Sequence, residues 1–283
     1  MSYLLEARSK TLEAIAELER ELKDINNSLG ENSVELETAT KLFKRVENKP
    51  KYPRYGTGIW SLDEKLRGGL MLGTFANIAG NNFAGKTTFL LKILTNIAQG
   101  HKVLFFSFEM YENLLKHSLE NMTRDYNTLN NFMIEQKRRH LNDIADIIRT
   151  EAGKGVKIFA IDSMMKIETN ETEEYKSAST ISKTLAKLTQ ELGVIILLIN
   201  QISEGDQRSG RLGFKKSGDI AYDSDFSVFI LTRDNNGQIE RKIKCTKDRI
   251  NGQTWELPLP EFEYGWAKPT EVEYKIEIPN MGL

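Results

Sequence analysis

The chain is 283 residues long, with 40% apolar and 28% charged residues, proportions that suit one large globular domain plus a small appendage. Its 39 basic and 40 acidic residues leave a formal charge of −1, which excludes a uniformly basic surface and leaves a local basic loop as the form any nucleic-acid contact would take. The longest apolar run, Val194 to Ile199, is too short to span a bilayer, no signal-like apolar stretch opens the chain, and the single Cys245 excludes an internal disulfide, so a cytoplasmic protein with no membrane contact is expected.

Residues 1–48 read differently from the rest. Ile15, Leu18, Leu22, Ile25 and Leu29 form a heptad seam with Glu and Lys between them. Gly30 breaks that helix, and Asn32 or Ser33 can cap a second, shorter one carrying Val34, Leu42, Phe43 and Val46, which ends near Lys49-Pro50. A seam this narrow buries too little to be stable alone. The expectation is an N-terminal α-helical hairpin or coiled-coil segment, 1–48, that docks on another protomer or a partner, ahead of a domain covering 49–283.

From Gly56 to about Leu259 apolar runs alternate with helical stretches. The runs Phe75–Ala79, Val103–Phe108, Val156–Ile161, Val194–Ile199 and Phe226–Leu231 suit strands buried on both faces of a parallel sheet. Thr88–Ala98 and Ile181–Leu192 are among the helices between them. The pattern predicts an α/β, doubly wound, mostly parallel sheet. Near the C-terminus, Val272, Tyr274, Ile276 and Ile278 alternate with charged residues, as in an edge strand.

The first run leads into Gly80-Asn81-Asn82-Phe83-Ala84-Gly85-Lys86-Thr87, with Thr88 opening a helix: G-x-x-x-x-G-K-T between strand and helix. In such a loop the backbone N–H groups and the helix N-terminus converge on phosphate oxygens. Lys86 would reach the β and γ phosphates of ATP or another NTP, and Thr87 would give its hydroxyl to Mg²⁺. The run Val156–Ile161 ends in Asp162, a carboxylate suited to the same cation. The run Val103–Phe108 ends in Glu109, a candidate base for the attacking water. The run Val194–Ile199 ends in Asn200-Gln201, whose neutral amides can sense a γ-phosphate without repelling it. The polar segment Ile202–Ser217 that follows carries Arg208, Arg211, Lys215 and Lys216, which can track single-stranded DNA phosphates.

Between about Gly56 and Lys268 these motifs, in this order, resemble the DnaB-like replicative helicases of the RecA-like superfamily (superfamily 4). Thr57-Gly58-Ile59, Leu62-Asp63 and Gly68-Gly69 look like the opening of that domain. Phe106-Ser107-Phe108-Glu109-Met110 matches the segment with the catalytic glutamate, and Gln201 stands at the γ-phosphate-sensing glutamine. Lys215-Lys216-Ser217-Gly218-Asp219-Ile220 looks like the DNA-binding loop, and Lys247-Asp248-Arg249-Ile250-Asn251-Gly252 like the K-x-R-x-G turn that reaches the neighbouring protomer's ATP. The resemblance implies a RecA-like P-loop NTPase core and a hexameric ring that hydrolyses ATP while translocating on single-stranded DNA. It also implies a primase, loader or other replisome protein as partner. Three features depart from the family: a helical segment stands where the primase-meeting N-terminal domain is expected, the stretch between Glu109 and Asp162 is shorter than is typical, and Lys215-Lys216 replace an arginine and a glutamate. These suggest a compact form, in a bacterial or phage-infected cell. Two other readings stay open: a RecA/RadA-type recombination or branch-migration ATPase, and a regulatory P-loop scaffold that does not unwind.

Overall fold

The computed structural model describes residues 8, 11, 14–15, 17–18, 20–21, 37–47, 53–202, 212, 222–235 and 238–259. The chain divides into two compact units, Met1–Lys51 and Tyr52–Leu283. No described helix is long and apolar enough to cross a membrane. In the first unit, residues described between 8 and 21 are helical, and helix α1 spans Ala39–Glu47. Its Leu42, Phe43 and Val46 are exposed, as are Ile15 and Leu18 earlier. The rest of the heptad seam, with Gly30 and Val34, lies outside the described residues, and so does the alternating stretch 272–278.

The second unit opens with a two-stranded ribbon, β1 (Arg54–Tyr55) paired antiparallel with β2 (Leu70–Met71), around the short helix α2 (Trp60–Lys65). Its large sheet has the order β10-β9-β8-β3-β7-β6-β4-β5. The strands are β3 (Phe75–Gly80), β4 (Val103–Ser107), β5 (Phe132–Glu135), β6 (Ile158–Asp162), β7 (Ile195–Gln201), β8 (Phe226–Asn235), β9 (Gln238–Asp248) and β10 (Trp255–Leu259). The six from β8 to β5 are mutually parallel, and β9 and β10 add an antiparallel margin. This is the mostly parallel α/β sheet that the alternating runs predict, in the RecA-like arrangement that the resemblance implies.

Side chains alternate across such a sheet, so apolar residues at every position bury both faces. On one face Ala76, Ile78, Phe105, Ala160 and Leu197 meet Leu90 and Leu94 of helix α3 (Lys86–Ala98) and Leu115 of helix α4 (Glu112–Met122). On the other, Phe75, Phe106, Phe159 and Leu198 meet Ile144 of α6 (Leu141–Gly153) and Leu185 of α7 (Glu174–Leu192). Between α4 and β5 the short helix α5 (Tyr126–Asn131) is capped by Asp125, which accepts the N–H groups of Asn127 and Thr128. Helix α7 starts at Glu174, seven residues before the start read from its apolar spacing, because its first two turns carry only the exposed Tyr175 and the small buried Ala178, too little for a period. Cys245 is buried in β9, and burial, with Asp248 adding to it, pushes its thiol up to about 12, so it is a packed, unreactive residue.

One side-chain pair in the second face is polar. Asn200 of β7 donates through Nδ2 to Asn77 Oδ1 of β3, with both residues buried.

Candidate nucleotide site

Parallel strands bring their C-terminal ends to one edge of the sheet, where the loops leaving them meet. The loop after β3 is Gly80–Gly85. Gly80 lies so close to β8 that a methyl group on it would stand 2.8 Å from Ile230 O. Gly85 takes a left-handed φ of 94° as the N-cap of α3, a backbone open to glycine at little cost. Helix α3 starts at Lys86, so Thr87 and Thr88 lie in its first turn, where free N–H groups favour anions. The Lys86 ammonium folds across its own loop and donates to Gly80 O at 3.0 Å and Asn81 O at 2.7 Å. Burial lowers its pKa, with Asp162 and Glu109 opposing that shift. Phe83, in the middle of the loop, has φ 61° and an almost wholly exposed ring.

Asp162 ends β6 beside this loop and is buried. Its Oδ2 accepts the Thr87 hydroxyl at 2.5 Å, and its Oδ1 is buried with no hydrogen-bond partner among the described residues. Burial, reinforced by the charge of Glu109, pushes its carboxyl up to about 6 against the hydroxyl bond from Thr87 and the charge of Lys86. A buried carboxylate oxygen without a donor, next to a threonine hydroxyl, is the oxygen-rich donor set that a hard cation prefers, so these residues fit Mg²⁺. Glu109 follows β4, and its Oε1 accepts a short hydrogen bond from Ser163 Oγ.

Lys86, Thr87, Thr88, Glu109, Asp162 and Gln201 line one cleft of about 840 Å³, together with Asn82, Phe83 and Gly85. Met110, Leu114, His117 and Asn121 extend its wall along α4, and Arg241 of β9 enters from the other side. No motif marks Arg241 or Ser163 as members of this cleft. Asn200 is not at the site: its side chain points to the opposite face, onto Asn77, and only Gln201 of the pair faces the loop.

Lys247 and Arg249 lie at the other end of the sheet. Because β8 runs parallel to β3 with Phe226 opposite Ala76, Asp225 stands at the start of β3. Asp225 N–H donates to Phe75 O at 2.8 Å, and Arg249 N–H donates to Asp225 O at 2.8 Å. The Arg249 guanidinium reaches Asp225 Oδ1 at 3.1 Å and Tyr222 O at 3.1 Å, and Lys247 Nζ reaches Tyr222 O at 2.8 Å. Five residue steps along β3, at about 3.3 Å each, put Gly80 roughly 16 Å from this end. An arginine side chain reaches about 7 Å from its Cα. The cations of this turn therefore stand out of reach of the loop in their own chain. Arg208, Arg211, Lys215, Lys216, Ser217 and Gly218 lie outside the described residues.

A phosphate-binding loop at the carboxyl edge of a RecA-like sheet, with a buried aspartate and a glutamate on neighbouring strands, defines a P-loop NTPase. The family model described as "ATPase: KaiC" matches residues 55–256, and the chain belongs to that family. The resemblance to DnaB-like replicative helicases holds. The chain is 26% identical over 243 residues to the replicative DNA helicase DnaB of Buchnera aphidicola, covering 72% of this chain and 51% of that protein. It is also 30% identical over 167 residues to the DNA repair protein RadA of Escherichia coli, covering 56% of this chain and 34% of that one. It thus spans about a third to a half of the length of these relatives. A solved DnaB-like replicative helicase shares the fold with a TM-score of 0.66 at 19% identity, over 89% of this chain and 74% of the other.

Proposed function

We propose that the chain is an ATP-driven DNA helicase that works as a hexameric ring, translocating on single-stranded DNA and unwinding duplex during replication. The observation that carries this reading is the polarity of the sheet. Lys86, Thr87, Asp162, Glu109 and Gln201 gather at one edge, while Lys247 and Arg249 stand at the other. Two such half-sites complete each other only when copies pack head to tail, as a closed ring requires.

In this mechanism the Gly80–Gly85 amides and Lys86 hold the phosphates of ATP, which is the substrate. Thr87 and Asp162 hold Mg²⁺, whose charge offsets that of the phosphate oxygens. Glu109 orients water toward the γ-phosphorus and draws its proton. Gln201 reports whether the γ-phosphate is present to the chain leaving β7, which leads into the basic segment with Lys215 and Lys216. Lys247 and Arg249 of the adjacent protomer stabilise the charge that gathers as the phosphoryl group leaves. Residues 1–48 form the oligomerisation or partner segment, a reading supported by the exposed Leu42, Phe43 and Val46 on α1. A primase or loader is the kind of protein that would bind there.

A forked-duplex strand-displacement assay with and without ATP tests the reading. ATP-dependent displacement by wild type and none by Lys86→Ala is the expected result. Robust DNA-stimulated ATPase with no displacement would end the helicase reading. It would favour a RadA-type branch-migration ATPase, which the 30% identity to RadA supports as the second reading.

A further inference from the structure

Strand β4 ends at Ser107, so Glu109 sits on backbone that no ladder bond fixes. Phe108 N–H still donates to Asp162 O at 2.8 Å, but the carbonyls on either side of Glu109 need other partners. Both are supplied by one short segment. β5 runs parallel to β4 with Phe106 opposite Glu135, so the chain leaving β5 travels beside the chain leaving β4. Gln136 Nε2 donates to Met110 O at 3.0 Å. Arg139 donates through a terminal guanidinium nitrogen to Phe108 O at 3.2 Å, and its guanidinium carbon lies 5.8 Å from the centre of the Phe108 ring.

The segment that carries these two side chains is itself tied down. Glu135 Oε1 accepts the N–H groups of Lys137 at 2.8 Å and Arg138 at 3.2 Å, closing a turn. Arg139 O accepts Glu168 N–H at 2.9 Å, and Glu168 O accepts Leu141 N–H at 2.8 Å, which joins the turn to the chain beyond β6. Asp162 and Ser163 lie on that same chain, and Ser163 holds the Glu109 carboxylate. The backbone of Glu109 and the group its carboxylate faces are thus referred to one frame.

We propose that Gln136 and Arg139 are positioning residues for hydrolysis, gripping the carbonyls before and after Glu109 so that its carboxylate keeps its aim into the cleft. The inference rests on the reading of Glu109 as the group that orients water. Neither residue lines the cleft that holds Lys86, Thr87 and Asp162, so binding is left alone while turnover suffers. A small misplacement of a reacting group costs up to about a hundredfold in rate.

The test uses the full chain with Gln136→Met, Arg139→Met and Arg139→Lys, alongside Glu109→Gln. The Met variants keep the side-chain stem and lose the donor, and Lys keeps one donor. The expected result is a kcat for ATP lowered about ten- to a hundredfold in each Met variant. KM and the affinity for a fluorescent ATP analogue should stay within about twofold. Arg139→Lys should recover part of the loss. In a Glu109→Gln background, measured by single turnover, the Met substitutions should add no further loss, whereas a purely structural role lowers both backgrounds equally. Wild-type kcat in folded Met variants, or a change confined to KM, overturns the proposal. If Arg139→Met does not fold, Gln136→Met, which leaves the Arg139–Phe108 contact in place, decides alone. Should Glu109→Gln itself turn over like wild type, the assignment of Glu109 falls instead, and the two failures are told apart.

Discussion

The separation of Arg249 from its own phosphate loop makes a quantitative prediction about mixtures. Roughly 16 Å of strand β3 lies between the Arg249 anchor at Asp225 and Gly80, more than twice what the side chain can bridge. If Arg249 acts on a neighbour, Arg249→Ala leaves its own loop intact and spoils the next site, while Lys86→Ala does the reverse. Each variant alone should lose on the order of a thousandfold in turnover. In a mixture with a fraction x of one variant, an interface works only when an intact loop faces an intact arginine, so activity follows x(1 − x). At equal amounts about a quarter of head-to-tail interfaces are whole, which sets the ceiling on recovered ATPase. Subunit exchange is followed with fluorescently labelled protomers, and ATPase is read across the full range of x. A parabola peaking at equal mixing is expected. Complete exchange with activity no higher than either parent would refute the argument and leave Arg249 as a residue that ties the β9–β10 turn to Asp225.

Glu109→Gln should bind the fluorescent ATP analogue like wild type and lose steady-state hydrolysis, since the amide keeps the shape and cannot take a proton. Asp162 carries a proton affinity near 6 in the folded chain against an ordinary 3.8, so the folded state holds its proton longer. Stability of the nucleotide-free protein should therefore fall as pH rises from about 4 to 6 and stay lower above that, by about 3 kcal/mol at most from this group. Asp162→Asn should flatten that profile, raise the urea midpoint at pH 7.5 and abolish Mg²⁺-dependent turnover; an unchanged midpoint at both pH 5 and pH 7.5 would count against the burial argument. Replacing Lys215 and Lys216 with Ala should weaken single-strand binding and reduce its salt slope by about two counterions' worth, read by fluorescence anisotropy across salt concentrations.

Five of the six parallel strands were legible to within a few residues because each is a doubly buried apolar run. The sixth, β5, is four residues on a sheet edge, too short for a period to declare itself. Strand β9 escaped as a full element because its Gln-Ile-Glu-Arg-Lys-Ile-Lys pattern is charge-rich, as a two-stranded margin with one wet face permits. Gly80–Thr87, Asp162, Glu109 and Gln201 could be assigned to loop and strand ends because their residue types interrupt apolar runs. Gln136, Arg139 and Ser163 could not, since each acts on a distant backbone or side chain through a contact that only the β4-β5 and β4-β6 adjacencies create. Asn200 looked equivalent to Gln201 in sequence, and only the pleat separates them.

That separation bears on how the sheet finds its alignment during folding. A slip of β7 against β3 by one residue would turn Asn200 toward α3 and drive Gln201 into the opposite core, an error that the alternation of apolar side chains already penalises. A slip by two residues is more dangerous, because it restores every apolar side chain to its proper face and would pass that check unnoticed. The amide pair closes this gap in one direction. Asn200 lies opposite Ala79 and reaches diagonally to Asn77, which lies opposite Leu198, so a two-residue shift that carries Asn200 farther along β3 would leave both amides buried among Phe75, Leu198 and their neighbours without each other. Each stranded amide would cost about 1–3 kcal/mol. Two asparagines in the core thus act as a one-way stop: they keep the glutamine from sliding past the start of the phosphate loop, an error that hydrophobic packing alone would leave unpenalised.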